Sequence, residues 1–282
     1  MLRHTFCHIP GIGPKTERDL WQAGLTTWEA LLGQPARGRS GSRRSYREHL
    51  EESQRQYEAG NPAWFSGRLP PAHQWRYFAD FRDRCAYLDI ETTGMSSYAD
   101  QVTTICLYDG DTVRTYVQGQ NLDDFPRDVA DYQVLVTYNG RCFDVPFLER
   151  RFGIRLGHAH IDLRYVLKAM GFSGGLKGCE RKLGVGRPGM EEVDGHMAVL
   201  LWQEYRRHRD RRALETLLAY NVQDTVNLEA LLVLAYNRQV GDTPFAPARC
   251  LPAPRPPRNP FAVSPSLVRR FAEYRWILPF RR

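Results

Sequence analysis

One short segment constrains the fold of this chain more than any other. Cys85-Ala-Tyr-Leu-Asp-Ile-Glu-Thr-Thr-Gly94 places two carboxylates, Asp89 and Glu91, at the end of an apolar run. Successive side chains of a strand point to opposite faces, so Asp89 and Glu91 share one face and Leu88 and Ile90 the other. The run therefore reads as a buried strand whose last turn is acidic. Two half-buried carboxylates side by side repel each other unless a cation lies between them.

Around that strand the pattern alternates. Val102 to Tyr108 reads as a second strand, and Asp109-Gly110-Asp111 turns the chain into a third, Thr112 to Val117. Gln133 to Tyr138 is a fourth strand, followed by Asn139-Gly140 and a helix near Val145 to Phe152. His160 to Leu163 is a short strand that enters a helix over Arg164 to Met170. Glu191 to Tyr205 and Leu214 to Asn237 read as helices. A hairpin followed by strand–helix alternation predicts a mixed α/β sheet flanked by helices.

Two further acidic positions follow the same logic. Asn139-Gly140-Arg141-Cys142-Phe143-Asp144 comes just after an apolar strand and puts Asp144 at a helix start, where Asp also serves as an N-cap. In Tyr220-Asn221-Val222-Gln223-Asp224 the spacing of four sets Tyr220 and Asp224 on one helix face, one turn apart. Asp224 sits mid-helix among apolar neighbours and needs a partner, which a metal would supply.

Composition and charge organise the rest. The 282 residues are 42% hydrophobic and 25% charged, ordinary for a globular chain, and the formal charge is +7. That excess is confined to the flanks. Residues 1–33 are neutral, 34–79 carry eight Arg against four Glu, and 241–282 carry eight Arg against Asp242 and Glu273. Residues 80–240, with 20 basic and 23 acidic side chains, are net acidic. Positive flanks suit phosphate contact, and an acidic middle suits a carboxylate site. Only four of the 39 basic residues are Lys, a bias that base composition explains as well as function does. No stretch approaches the roughly 20 apolar residues of a membrane helix. The six Cys are scattered with no C-x-x-C pair, and no secretion signal opens the chain, so a reducing, cytoplasmic setting is expected.

Four regions are predicted: a small helical module over 1–33, a basic linker and helix over 34–79, a catalytic domain over 80–240 and a Pro/Arg-rich tail over 241–282. In the first, Pro10-Gly11-Ile12-Gly13-Pro14-Lys15 precedes a helix bearing Leu20 and Trp21. Gly11 and Gly13 would expose backbone N–H groups and a helix N-terminus, with Lys15 adding charge. Thr26 and Glu29 form a capping-box pattern for a short helix over Trp28 to Leu32. This segment resembles the hairpin of a helix-hairpin-helix element, although Met1 to His8 makes a poor first helix. Residues 34–44 read as a Gly/Ser/Arg linker, Ser45 to Ala59 as a polar helix, 61–71 as irregular, 241–260 as extended and Val263 to Phe280 as a short docked helix.

Asp89-x-Glu91, Asn139…Asp144 and Tyr220-x-x-x-Asp224, in this order, resemble the DEDD group of ribonuclease H-like nucleases, the DnaQ-like 3′–5′ exonuclease superfamily. The separations of 55 and 80 residues between Asp89, Asp144 and Asp224 fit it. Tyr220 in the third motif is similar to the DEDDy branch, and LDIETTG and YNVQDTVNLE resemble YprB-like predicted nucleases. The resemblance covers about residues 76–237. It implies a ribonuclease H-like mixed sheet and a two-metal hydrolase using Mg²⁺ or Mn²⁺. Asp89 would bridge both ions, Glu91 and Asp224 would complete one, and Asp144 would support the other directly or through water. Tyr220 would orient the attacking water. Two divalent ions would also turn the central acidic deficit into a small positive excess.

The resulting expectation is a metal-dependent 3′–5′ exonuclease on single-stranded or frayed DNA, with DNA favoured over RNA as the partner. The alternatives are an inactive nucleic-acid-binding scaffold, a structure-specific endonuclease or an RNA-processing exonuclease. Asn139 and Lys177 are candidate nucleic-acid contacts beside Gly11, Gly13 and Lys15, with Lys177 in a loop capped by Ser173. His160 reads as a structural histidine, Arg206 to Arg212 as a solvated loop, and Trp75, Tyr77, Phe78 and Phe81 as packing for the sheet edge.

Overall fold

A computed structural model describes residues 1–34, 40–94, 100–246 and 248–274, without the side chains of 40–45 and Tyr274. Of the linker expected over 34–44, residues 35–39 lie outside the described residues and 40–44 are helical, so the helix expected from Ser45 begins at Ser40; the end of the helix expected over 263–280 also lies outside them. The chain order is α1 (Pro14–Gln22), α2 (Trp28–Leu32), α3 (Ser40–Glu58), α4 (Pro62–Ser66), β1 (Cys85–Thr92), β2 (Val102–Tyr108), β3 (Val113–Val117), α5 (Phe125–Val129) and β4 (Val134–Thr137). Then come α6 (Asp144–Phe152), β5 (Ala159–Asp162), α7 (Leu163–Ala169), α8 (Gly175–Leu183), α9 (Gly195–His208), α10 (Arg211–Gly241) and α11 (Pro265–Tyr274).

The strands form one sheet in the order β3-β2-β1-β4-β5. β1 pairs antiparallel with β2 and parallel with β4, which also runs parallel to β5. This is the mixed sheet flanked by helices that the alternation predicts. Its two faces follow the period of β1. Cys85 and Tyr87 pack into the cluster that holds Val222, Leu228 and Leu231 of α10, whereas Ala86, Leu88 and Ile90 pack with Phe125, Val129 and Leu148 of α5 and α6. Asp89 and Glu91 therefore emerge on the α10 side. α10 is apolar around most of its circumference, as a helix enclosed between sheet and other helices must be, and its upper end packs against α9.

The N-terminal helices share the α10-side cluster: Trp28, Phe6 and Ile9 are buried together with Phe65, Trp75 and Tyr236. Glu17 fixes this contact. Its Oε1 accepts from the backbone N–H groups of Phe6 at 2.6 Å and Cys7 at 3.2 Å, and its Oε2 pairs with Arg76 at 2.8 Å. Trp75, Tyr77, Phe78 and Phe81 are buried here, packed under the sheet edge as expected.

Several local readings need correction. Thr27, not Thr26, caps α2, its side chain accepting from Ala30 N–H at 3.2 Å. The stretch 61–71 is not irregular: Asn61 accepts from Trp64 N–H and Pro62 starts α4, a cap-and-proline signature that the proline content obscured. Ser173 caps nothing; Gly174, at φ 111°, precedes α8 in what reads from sequence as a loop. α9 starts at Gly195 because Asp194 accepts from Met197 N–H at 3.0 Å. The Arg206 to Arg212 run closes α9, turns through Arg209 and opens α10, with its arginines exposed. The tail is held to α10 by Asn237, which exchanges hydrogen bonds of 2.8 and 2.7 Å with the Leu251 backbone.

Candidate metal centre

The acidic residues converge where the parallel strands end. β1 delivers Asp89 opposite Cys106 and Glu91 opposite Thr104, and the ladder slips at Thr92 as the strand leaves the sheet. α10 crosses this face and brings Asp224 to them. One ligand atom each from Asp89, Glu91 and Asp224 lies within 4.8 Å of the others. Asp144 is not part of that group. α6 lies across the other face of the sheet, and the Asp144 side chain reaches back to β1, its Oδ1 accepting from Ile90 N–H at 3.2 Å. A backbone N–H lies in the plane of its sheet, so Asp144 sits beside β1, beyond the last pairing of β4, and its charge still raises Asp89 and Glu91.

Gly140 and Asn139 allow that approach. Gly140 donates its N–H to Thr137 Oγ1 at 3.1 Å, and a Cβ built on it would lie 2.3 Å from the same oxygen. Asn139 takes φ 67°, stabilised by its N–H bond to Asp162 Oδ1 at 2.7 Å, while its own side-chain oxygen accepts from Arg164. His160 donates to or accepts from Thr137 Oγ1 at 2.8 Å, the structural role expected of it.

The electrostatics are those of charges crowded without enough compensation. Burial, then the charges of Asp224 and Glu91, push the Asp89 carboxyl well above its ordinary range. Burial and Asp224 do the same to Glu91, and burial raises Asp224 against the opposing pull of Arg187. Burial lifts Asp144 to about 7. Arg187 and Lys177 oppose part of this rise at Asp224 and Glu91, and burial still raises every carboxyl of the group. Hard oxygen donors this close together suit a divalent ion such as Mg²⁺ or Mn²⁺. The site therefore fits the cations expected of it.

Tyr220, one turn before Asp224, hydrogen-bonds the Asp224 carboxylate, and burial pushes its phenol well above the ordinary range. Lys177 lies 4.7 Å over the Tyr220 ring and donates to the Val193 carbonyl. Burial lowers its ammonium, against the raising pull of Asp224. Gly11, at φ 85°, and Gly13, the N-cap of α1, lie in the exposed turn that carries Lys15.

Two residues of the centre escape sequence reasoning. Asn221 donates to the Asp89 carboxylate at 2.7 Å and accepts from Thr104 Oγ1 at 3.1 Å, which fixes one Asp89 oxygen. A polar residue fully buried mid-helix beside Tyr220 was the available signal. Arg187 pairs with Asp224 at 2.5 Å and with Glu180 through two bonds of 2.8 and 2.9 Å. It lies in the loop between α8 and α9, and no spacing rule links it to Asp224.

Residues 86–236 match the family model described as the RNase_H superfamily, a span of just over half the chain. No curated protein matches the chain. Among solved structures it is similar to the family B DNA polymerase from the hyperthermophilic archaeon Pyrobaculum calidifontis, with a TM-score of 0.38 and 17% identity over 56% of this chain. The chain spans 29% of that polymerase chain.

Proposed function

This chain belongs to the ribonuclease H superfamily, and from that premise we propose that it is a metal-dependent nuclease hydrolysing phosphodiester bonds. The observation that carries the reading is the convergence of Asp89, Glu91 and Asp224 at the C-terminal end of β1. Asp89, Glu91 and Asp224 would hold the divalent ions, with Asp144 supporting them from beside Ile90. Bound there, the ions would lower the pKa of a water and stabilise the leaving oxygen.

The chain's own groups have separate tasks. Asn221 holds one oxygen of Asp89 so that the other faces the cluster. Tyr220 keeps its proton at neutral pH and spends it on the Asp224 carboxylate, so it orients water through its oxygen as an acceptor and does not act as a base. In motif order and in its Tyr the site resembles the DEDDy branch and YprB-like nucleases, and 3′–5′ exonuclease action on single-stranded or frayed DNA is the proposed mode. The exposed turn with Gly11, Gly13 and Lys15 would grip the phosphate backbone, and 1–33, 34–79, 80–240 and 241–282 are the proposed functional regions.

The test is digestion of 5′-labelled single-stranded DNA with Mn²⁺. Asp224→Ala should abolish cleavage, by about 100-fold or more, while leaving DNA binding intact. A 3′-blocked oligonucleotide should resist the wild-type protein. Full activity of Asp224→Ala would remove the proposal, and cutting of the blocked oligonucleotide would convert it to an endonuclease.

A further inference from the structure

Arg187, outside the expected site residues, pairs with two buried carboxylates. Its side chain is 7% exposed, and it touches two carboxylates of opposite standing. Asp224 belongs to the cluster of three; Glu180, 1% exposed, lies behind it on α8. The Arg187 Nη2 serves both, at 2.5 Å from Asp224 Oδ1 and 2.9 Å from Glu180 Oε1, while Nε holds Glu180 Oε2 at 2.8 Å. Asn227, on α10 near Asp224, donates to Glu180 at 2.8 Å and to the Gly186 carbonyl at 3.2 Å, so the loop bearing Arg187 is pinned beside the cluster. The remaining guanidinium nitrogen, Nη1, is buried without a partner.

Resting on the nuclease reading, we infer that Arg187 is a positioning residue that acts as the cluster's counter-cation in the metal-free chain and competes with a divalent ion for Asp224. A guanidinium in contact with a carboxylate oxygen repels any dication that the same carboxylate holds. The pairing with Glu180 makes exchange feasible. When Arg187 yields Asp224, its two bonds to Glu180 keep the guanidinium charge paired within the protein. A single-seat arginine would be left buried and uncompensated, at a cost that forbids release. Metal affinity is thereby set below what three bare carboxylates would give, and the empty centre stays folded.

The test is Mn²⁺ binding to the full, metal-stripped chain, by calorimetry and by electron paramagnetic resonance of free Mn²⁺, without substrate. Arg187→Gln should bind Mn²⁺ about tenfold tighter or more, and Arg187→Lys should return toward wild type. Metal-free Arg187→Gln should melt below wild type, and saturating Mn²⁺ should raise its Tm by more than it raises the wild type's. If Arg187→Gln fails to fold, the paired variant Glu180→Gln/Arg187→Gln removes both charges together and should show the same tightening. Unchanged or weaker binding in the folded variant overturns the inference while the nuclease reading stands, since Arg187 would then orient Asp224 as a ligand. Absence of Mn²⁺ binding in the wild type, or wild-type binding by Asp224→Asn, defeats the metal reading itself and this inference with it.

Discussion

Asp144 offers a test in which stability and function move in opposite directions. Asp144 is 4% exposed, and its carboxyl accepts from its own N–H and from Ile90 N–H on β1, yet burial lifts it to about 7. The unfolded carboxyl ionises near pH 3.9. Between those two values the folded chain keeps a proton that the unfolded chain has lost, so stability falls as pH rises from about 4 to about 7. At about 1.4 kcal/mol per pH unit, the ionised group costs at most about 4 kcal/mol by pH 8. Asp144→Asn removes the charge and keeps an oxygen to accept from Ile90. It should stabilise the metal-free protein by about 2–4 kcal/mol at pH 8 and by almost nothing at pH 4. At about 2 °C per kcal/mol for a chain of this length, Tm should rise by about 4–8 °C. The assay is thermal and denaturant unfolding in EDTA at both pH values, beside Mn²⁺-dependent cleavage, which the variant should lose by about 100-fold. Equal stabilisation at both pH values, or none at pH 8, would refute the burial-and-charge account of this residue.

Two further expectations follow from the geometry. Gly140→Ala forces its Cβ to within 2.3 Å of Thr137 Oγ1, so the turn before Asp144 must shift; about 2 kcal/mol of stability and most cleavage activity should be lost, read by unfolding and by the digestion assay. Lys15→Ala should weaken single-stranded DNA binding and lower the salt slope of its affinity by about one unit, measured by anisotropy titrations at several salt concentrations, with cleavage of short saturating substrates unchanged.

Much of this arrangement is written in local periods. Alternation in Cys85 to Thr92 is enough to place Asp89 and Glu91 on one face, because a strand has period two wherever it lies. Spacing of four puts Tyr220 and Asp224 together on any helix. Turn chemistry at Asp109-Gly110 sets the β2–β3 hairpin: Asp109 accepts from the N–H groups of Asp111 and Thr112. The short helices α4 and α8 were less legible, because proline and glycine content masked their caps.

What the tertiary structure decided is nonlocal. Asp144 shares a motif order with the other three carboxylates, yet it comes from α6, which packs on the Ile90 side, and meets the edge of β1, whereas Asp224 comes from α10 on the Asp89 side. Arg187 reaches Asp224 from a loop 37 residues earlier in the chain, and Glu17 ties the first helix to Arg76. No period of the sequence encodes such pairs. They exist because burying a charge demands a partner, and only the folded chain determines which opposite charge lies within reach. The sequence by itself determined which carboxylates could bind a cation; the packing of helices on two faces of one sheet decided which three meet, which one stands beside them, and which arginine sits among them.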